Sequence, residues 1–239
     1  MKKIAVYVLC LFVFTVFIAA DIYIEEKTHT DSYYYGGVVH PENDYIVEIW
    51  FRDHQMAYMT AGRIVIVDQS KRLISIINRR DKTYVETSIP LDMKNILPQE
   101  TLAMLQPRQV SGNVEETKEK KKISNWNCAG YDINVDRPYA LEIKNWSTVD
   151  VPFNWEQLNE MFSPIRRLGN YSDSYIDQLK KIKGFVVHTD VKIFLQGTTF
   201  GSKSQVIEIS RKDPPSGVYV IPDGFQKKNQ LTIQDLRNR

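Results

Sequence analysis

The segment from Tyr45 to Thr87 constrains the fold of this chain more than any other stretch. It consists of short runs of β-branched and aromatic residues, separated by turn-type clusters at 53–55, 68–71 and 78–81. Such runs are typical of consecutive strands joined by tight turns. The segment therefore predicts an antiparallel meander.

Two runs in this segment, Ile64–Val67 and Leu73–Ile77, are apolar on both faces of the predicted strands. A strand with one face in water should alternate between apolar and polar residues. We therefore expect both faces of the central sheet to be covered. Helices or a bound ligand could supply the cover.

A candidate cover follows at 90–107. Pro98 stands where a helix would start, and Leu102 and Leu105 share one helical face. The next charged run, Glu115–Lys122, contains both signs and predicts a solvated hairpin tip or an exposed strand end.

The remainder of the chain alternates between strand and helix signals. Asn154 and Gln157 form a capping box that predicts a helix start, and a second start is predicted at Ser174. Phe185–Leu195 alternates as a long strand. Residues after Lys227 are predicted to be frayed or weakly helical.

In all, about ten strands and two or three short helices predict a mainly β fold of the α+β kind. With 43% hydrophobic residues, a chain of 239 residues can bury a sizeable core. No linker or repeat divides it, so residues 21–239 are predicted to form a single domain.

Residues 1–20 are predicted to be a secretory signal peptide. Lys2 and Lys3 precede an apolar run from Ile4 to Ile18, and Ala19–Ala20 supplies small residues at a cleavage point. The mature protein is then expected to be periplasmic or secreted. The alternative is an uncleaved leader that anchors the chain in the inner membrane.

The charge balance argues against a nucleic-acid partner. Without Lys2 and Lys3, 29 basic residues face 29 acidic ones, so the mature chain has no net charge to attract phosphates over a distance. Any membrane contact is expected to be transient.

Cysteine and histidine usage predicts neither a metal site nor a cofactor. Cys128 is the one cysteine outside the leader, so we expect a small buried apolar side chain there, although an exported thiol could also pair between molecules. The four histidines stand apart from one another, with no second metal ligand at a useful spacing. They are His29, His40, His54 and His188.

No enzyme motif is present, and no catalytic residue is predicted. His188, two residues before Asp190, could be a general base with an orienting carboxylate. The alternative for such a pair is an exposed strand face. We expect a protein that is not an enzyme.

The surplus of large apolar residues in the meander indicates a hydrophobic ligand. A curved sheet with an apolar concave face, capped by short helices, can close over a lipid-like molecule. The candidate residues for that face are Ile49, Phe51, Met56, Tyr58, Ile64, Ile66, Leu73 and Ile77. The alternative is that these side chains form an ordinary core beneath the helices.

Four short motifs are spread over most of the mature chain. They are Ile64–Asp68 (IVIVD), Asp81–Glu86 (DKTYVE), Trp126–Tyr131 (WNCAGY) and Val220–Phe225 (VIPDGF). In their order they resemble the periplasmic lipoprotein-carrier superfamily of the LolA/LolB type, and within it a branch of uncharacterised proteins. The resemblance implies a curved antiparallel sheet, an incomplete β-barrel or half-barrel, wrapped around two or three short helices. It also implies a hydrophobic cavity and a role in lipid or lipoprotein transport.

Two hypotheses follow for the function. The leading one is an exported, non-enzymatic protein that holds a lipid or another hydrophobic small molecule in a half-barrel cavity. The alternative is a cell-envelope interaction module whose core is filled by its own side chains and which binds another envelope protein.

Overall fold

The fold is known from a computed structural model, which describes residues 20–237. The predicted signal peptide lies outside the described residues except for Ala20. The strands are β1 (Asp21–Thr30), β2 (Tyr33–Tyr35), β3 (Val38–His40), β4 (Asn43–Arg52), β5 (Gln55–Met59), β6 (Arg63–Asp68), β7 (Leu73–Asn78), β8 (Thr83–Ser88), β9 (Ser111–Ile123), β10 (Trp126–Arg137), β11 (Leu141–Thr148), β12 (Phe185–Leu195), β13 (Thr198–Lys212) and β14 (Gln226–Lys227). The α-helices are α1 (Gln99–Leu105), α2 (Trp155–Met161), α3 (Ser163–Leu168), α4 (Asp173–Leu179) and α5 (Ile233–Arg237).

The predicted meander is confirmed. Strands β4 to β8 lie side by side in chain order, and each pairs antiparallel with the next. Short turns connect them, as the sequence indicated.

The predicted half-barrel fold was wrong. Twelve strands form one mixed sheet in the order β14-β8-β7-β6-β5-β4-β1-β13-β12-β11-β10-β9, and this sheet does not close. It is not purely antiparallel, because β14 runs parallel to β8. Among the described residues, five short α-helices are present instead of two or three.

The reason for this difference lies in the first strand. Strand β1 pairs with β4 on one side and with β13 on the other, so it joins two sets of strands edge to edge. Asp21 lies opposite Lys212 in this pairing. Local periodicity predicts that a segment is a strand, but it does not specify a partner so far along the chain.

Most of the predicted helix signals have counterparts. The Asn154 side chain accepts a hydrogen bond from the Gln157 N–H at 3.0 Å and so caps α2. Helix α4 starts earlier than predicted, since Ser172 is its N-cap. Pro98 is itself the N-cap of α1.

For two polar segments of the sequence, the predicted structure and the observed structure agree to different degrees. The run Glu115–Lys122 lies within β9, the outer strand of the sheet, and is mostly exposed, as expected. Of the described residues after Lys227, Ile233–Arg237 form α5, and Leu231 is buried, so this segment packs on the fold rather than fraying.

Candidate ligand-binding site

The eight residues predicted for one ligand-binding face lie on both faces of the sheet. Four face the helices, namely Ile49, Phe51, Met56 and Tyr58. Ile64, Ile66 and Ile77 belong to a cluster on the opposite face. Leu73 lies on that second side as well, because it is four residues from Ile77 in the same strand.

Strand register explains this division. Phe51 lies opposite Met56, and Met56 lies opposite Val67. On β6, Val65 and Val67 are therefore the residues that face the helices, and Ile64 and Ile66 point away. A register one residue different would reverse every side chain, and the apolar run alone does not distinguish the two.

The second face is covered by the chain itself. The segment 218–225 packs its apolar side chains against Trp50, Ile66 and Ile77. Its Tyr219 hydroxyl donates to Asp21 Oδ2 at 2.7 Å, and the Arg52 guanidinium lies 4.4 Å above the Tyr219 ring. The chain itself therefore covers both faces of the strands that are apolar on both sides: the helices cover one face, and the segment 218–225 covers the other.

An apolar cavity remains beside α1. Its volume is about 440 Å³, within the range of small-molecule sites. Apolar residues of its lining are Leu91, Met93, Leu97, Leu102 and Leu105. Leu91 and Leu97 are buried, whereas Leu102 and Leu105 of α1 are only partly buried. The apolar face of α1 thus packs against the edge of the main core and leaves part of Leu102 and Leu105 facing the cavity.

Charged groups also line this α1 cavity. Lys94 is exposed, and Arg167 is partly exposed and forms an ion pair with Asp173 at 2.8 Å. Asp92 is the one carboxylate in the lining, and it accepts the Lys94 backbone N–H at 2.9 Å. The lining therefore has a net positive charge, with its cations on the solvent side.

The walls of the α1 cavity are fixed to the rest of the fold. Asn170 donates side-chain hydrogen bonds to the carbonyl oxygens of Leu105 and Arg108, both at 3.0 Å. The Leu231 N–H donates to the Ile96 oxygen at 2.7 Å. The end of α3 and the segment before α5 therefore hold the cavity from two sides.

The sequence predicted this region as a cover for the sheet but not as a ligand-binding site. Leu102 and Leu105 were visible as one helical face, and they line the cavity. Leu91, Met93 and Leu97 lie around a short 3-10 turn, Met93–Asn95, where no helix or strand period applies. No sequence signal could have grouped them.

The pair His188 and Asp190 lies on β12, with Nε2 2.9 Å from Asp190 Oδ2. Asp190 lies opposite Lys144 on β11 and Lys203 on β13. Asp190 is thus part of a row of alternating charges across the sheet. The pair is not simply an exposed strand face, because the His188 side chain is only 15% exposed and its Nδ1 is buried without a hydrogen-bond partner among the described residues.

Cys128 is buried, as predicted. Within residues 20–237, no cluster of three or more histidine, cysteine or carboxylate side chains could hold a metal ion. In the same part of the chain, no helix is long and apolar enough to cross a bilayer.

Comparison with known proteins assigns no family. No family model matches the chain, and no curated protein matches it. One similar solved structure is that of PNGF-II in the C2 space group, with a TM-score of 0.44 and 12% identity over 91% of this chain. The match covers 32% of PNGF-II, so this chain spans about a third of its length. Similarity at this level supports no argument about function.

Proposed function

We propose that this protein binds an amphipathic anion, a molecule with an aliphatic chain and a negatively charged head group, in the α1 cavity. The observation that carries the proposal is the partial burial of Leu102 and Leu105 over an apolar space of about 440 Å³. An aliphatic chain in that space would bury both leucines. We thus propose a different site for the hydrophobic ligand expected from the sequence: the α1 cavity beside the sheet, rather than a concave face of the sheet.

The cations of the lining support a negatively charged head group. Lys94 forms no ion pair with any other described residue and lies on the solvent side of the cavity. It could meet an anionic head group while the apolar chain remains inside. Transport of a lipid through the cell envelope, implied by the resemblance to lipoprotein carriers, is one form of this function.

The first test measures affinity against chain length. Burying one methylene group contributes about 0.8 kcal/mol, which is roughly a fourfold change in Kd. We expect the Kd of straight-chain carboxylates, measured by calorimetry from eight to fourteen carbons, to fall by about that factor per carbon until the cavity is full. A Kd that is independent of chain length, or no binding at all, would contradict the proposal.

The second test uses two residues of the same helix. Leu102→Glu places a carboxylate in the apolar lining and should weaken binding of the best carboxylate by at least about tenfold. Met104→Glu is the control, because Met104 is 54% exposed and does not line the cavity. Equal loss of binding in both variants would mean that the effect is not local to the cavity.

A second candidate function is the interaction module, and a specific surface favours it. The hairpin 33–40, formed by β2 and β3, is a two-stranded sheet separate from the large sheet and is called here the tyrosine finger. Gly36 and Gly37 both have positive φ, as its tight turn requires. Stacking of Tyr33 on Phe200 at 4.0 Å holds its base.

The tyrosine finger is apolar on both sides. Tyr34 and Val39 lie opposite each other and are 57% and 67% exposed, while Tyr35 and Val38 form the next pair and are 39% and 58% exposed. Successive residues of a strand point to opposite faces, so a flat partner would cover only one pair. A cleft in another protein would cover both.

A photo-crosslinker at Val39 tests the interaction module. We expect it to join one defined envelope protein, and we expect the double variant Tyr34→Ser/Val38→Ser to abolish that product. A crosslinker at Ile207, which is 52% exposed on β13, is the control. Crosslinking of Val39 to lipid alone would show that the finger enters a membrane surface instead.

A further inference from the structure

A second cavity, separate from the α1 cavity, lies between the sheet and the helices α2 and α3. Its volume is about 150 Å³, and strands β1, β12 and β13 contribute to its wall. Ile49, Tyr58 and Phe162 form apolar parts of the lining. The ionisable side chains of the same lining are Glu26, Arg166 and His188, and the His188 imidazole is paired with Asp190 at 2.9 Å.

Glu26 faces the helices because of its position in β1. Ile22 and Ile24 belong to the core beneath the helices, and Glu26 follows on the same side. The Ser204 and Thr28 hydroxyls hydrogen-bond to its carboxyl group. Burial raises the pKa of Glu26, although these hydrogen bonds partly oppose the change. The carboxylate thus has neutral partners but, within residues 20–237, no ion-pair partner.

Arg166 has even fewer partners. Its Nη1 donates to the Asn159 backbone oxygen at 3.4 Å, and within the described residues no carboxylate oxygen lies within 4.0 Å of its guanidinium. Burial lowers the pKa of Arg166. The next residue, Arg167, shows the usual arrangement, since it pairs with Asp173. Arg166 is partly exposed, so its guanidinium, which has no carboxylate partner among the described residues, is accessible to a ligand.

The cavity lies next to a wider groove on the helices. Asn159 and Arg166 also line this groove of about 870 Å³ between α2, α3 and α4. Arg166 therefore borders both the cavity and the groove.

We infer that the cavity binds a small zwitterion of the amino-acid type, with its carboxylate on Arg166 and its ammonium group toward Glu26. Two opposite charges that line one cavity without pairing to each other are complementary to a ligand that carries both signs. A carboxylate matches the fork of a guanidinium in two hydrogen bonds. A cavity of about 150 Å³ holds a molecule of roughly benzene size, which limits the ligand to the smaller amino acids.

Calorimetry with simple probes tests the inference. The probes are glycine, L-alanine and L-valine, with propionate and propylamine as analogues that carry one charge. We expect at least one zwitterion to bind, and both single-charge analogues to bind at least tenfold more weakly. Failure of every zwitterion to bind, or equal binding of propionate, would overturn the inference.

Paired variants locate the binding. Arg166→Gln and Glu26→Gln should each weaken zwitterion binding at least tenfold. Arg108→Gln and Glu25→Gln are the controls: Arg108 is exposed and lines neither cavity, and Glu25 accepts the Tyr23 hydroxyl, whose ring lies on the other face of the sheet. Unchanged binding in both cavity variants would overturn the assignment of the site.

A stability measurement separates a binding role from a structural one. If Glu26 and Arg166 serve to bind a ligand, the Arg166→Met variant should, without ligand, have a melting temperature equal to or higher than that of the unmodified protein. A clear fall in melting temperature for both Arg166→Met and Glu26→Gln would mean that the two groups stabilise the fold, and would overturn the inference. These variants leave the α1 cavity intact, so the carboxylate series reports on the proposed function separately.

Discussion

At the scale of single residues, Asp235 illustrates how one buried charge can join distant parts of the chain. It is 3% exposed and accepts hydrogen bonds from Asn78 Nδ2 at 2.7 Å, from Lys228 Nζ at 2.6 Å and from the Thr232 N–H at 2.6 Å. The Asp235 N–H in turn donates to the Thr232 hydroxyl, so the two residues form a capping box for α5. Burial alone would raise the pKa of Asp235, but these hydrogen bonds outweigh it and lower the pKa to about 2.

This arrangement predicts a pH-dependent loss of stability. Because the pKa of Asp235 is lower in the folded state than its ordinary value of 3.8, the ionised group stabilises the fold above pH 4 and loses that effect as the pH falls toward 2. We expect Asp235→Asn to lower the free energy of unfolding by about 2 kcal/mol at pH 7. Urea titrations at several pH values would measure this. A difference that persists undiminished at pH 2 would argue against the carboxylate as the cause.

At the scale of elements, β7 shows that the sheet is buried on both sides. Ile76 is 2% exposed and faces the helices, whereas the next residue, Ile77, is fully buried on the opposite face. Each lies against a separate cluster of apolar side chains. A strand with one wet face would place only one of the two in a core.

Neighbouring substitutions in β7 test this arrangement. Ile76→Ala and Ile77→Ala should each lower the free energy of unfolding by about 2 to 5 kcal/mol, because each leaves a cavity in a packed core. Ile207→Ala, on an exposed position of β13, should change it by less than about 0.5 kcal/mol. Near-wild-type stability of Ile77→Ala would show that the segment 218–225 does not cover the second face in solution.

At the scale of the whole molecule, β1 joins the two sets of strands into one folding unit. It lies between β4 and β13 in the middle of the sheet. The main core contains residues from both sets, for example Val65 and Ile76 on one side and Phe185 and Val187 on the other. The second set also packs a smaller cluster against α4, which includes Tyr131, Ile133 and Tyr175, but the main core beneath the helices is shared by both sets.

We therefore expect a single cooperative unfolding transition. Variants that retain only Trp50, in β4, or only Trp146, in β11, should report the same urea midpoint by fluorescence. Two separate midpoints would show that the strands on either side of β1 unfold independently.

The candidate site was predictable only in part. The apolar face of α1 was visible in Leu102 and Leu105, because helical spacing is a local property. The cavity that they line also requires Met93 and Leu97, whose positions depend on a short turn. The opposite charges of Glu26 and Arg166, 140 positions apart in sequence, meet in one cavity only because β1 lies beneath α3.

The sequence by itself determined the meander, the burial of Cys128, the cap of α2 and the need to cover both faces of the central strands. These features follow from side-chain periodicity, turn chemistry and hydrophobicity, which act over a few residues. Only the tertiary structure decided that β1 pairs with β13, that the sheet stays open, and that the segment 218–225 rather than a ligand covers the second face. Those outcomes depend on strand register and on pairing between distant segments, which many apolar sequences can satisfy in more than one way.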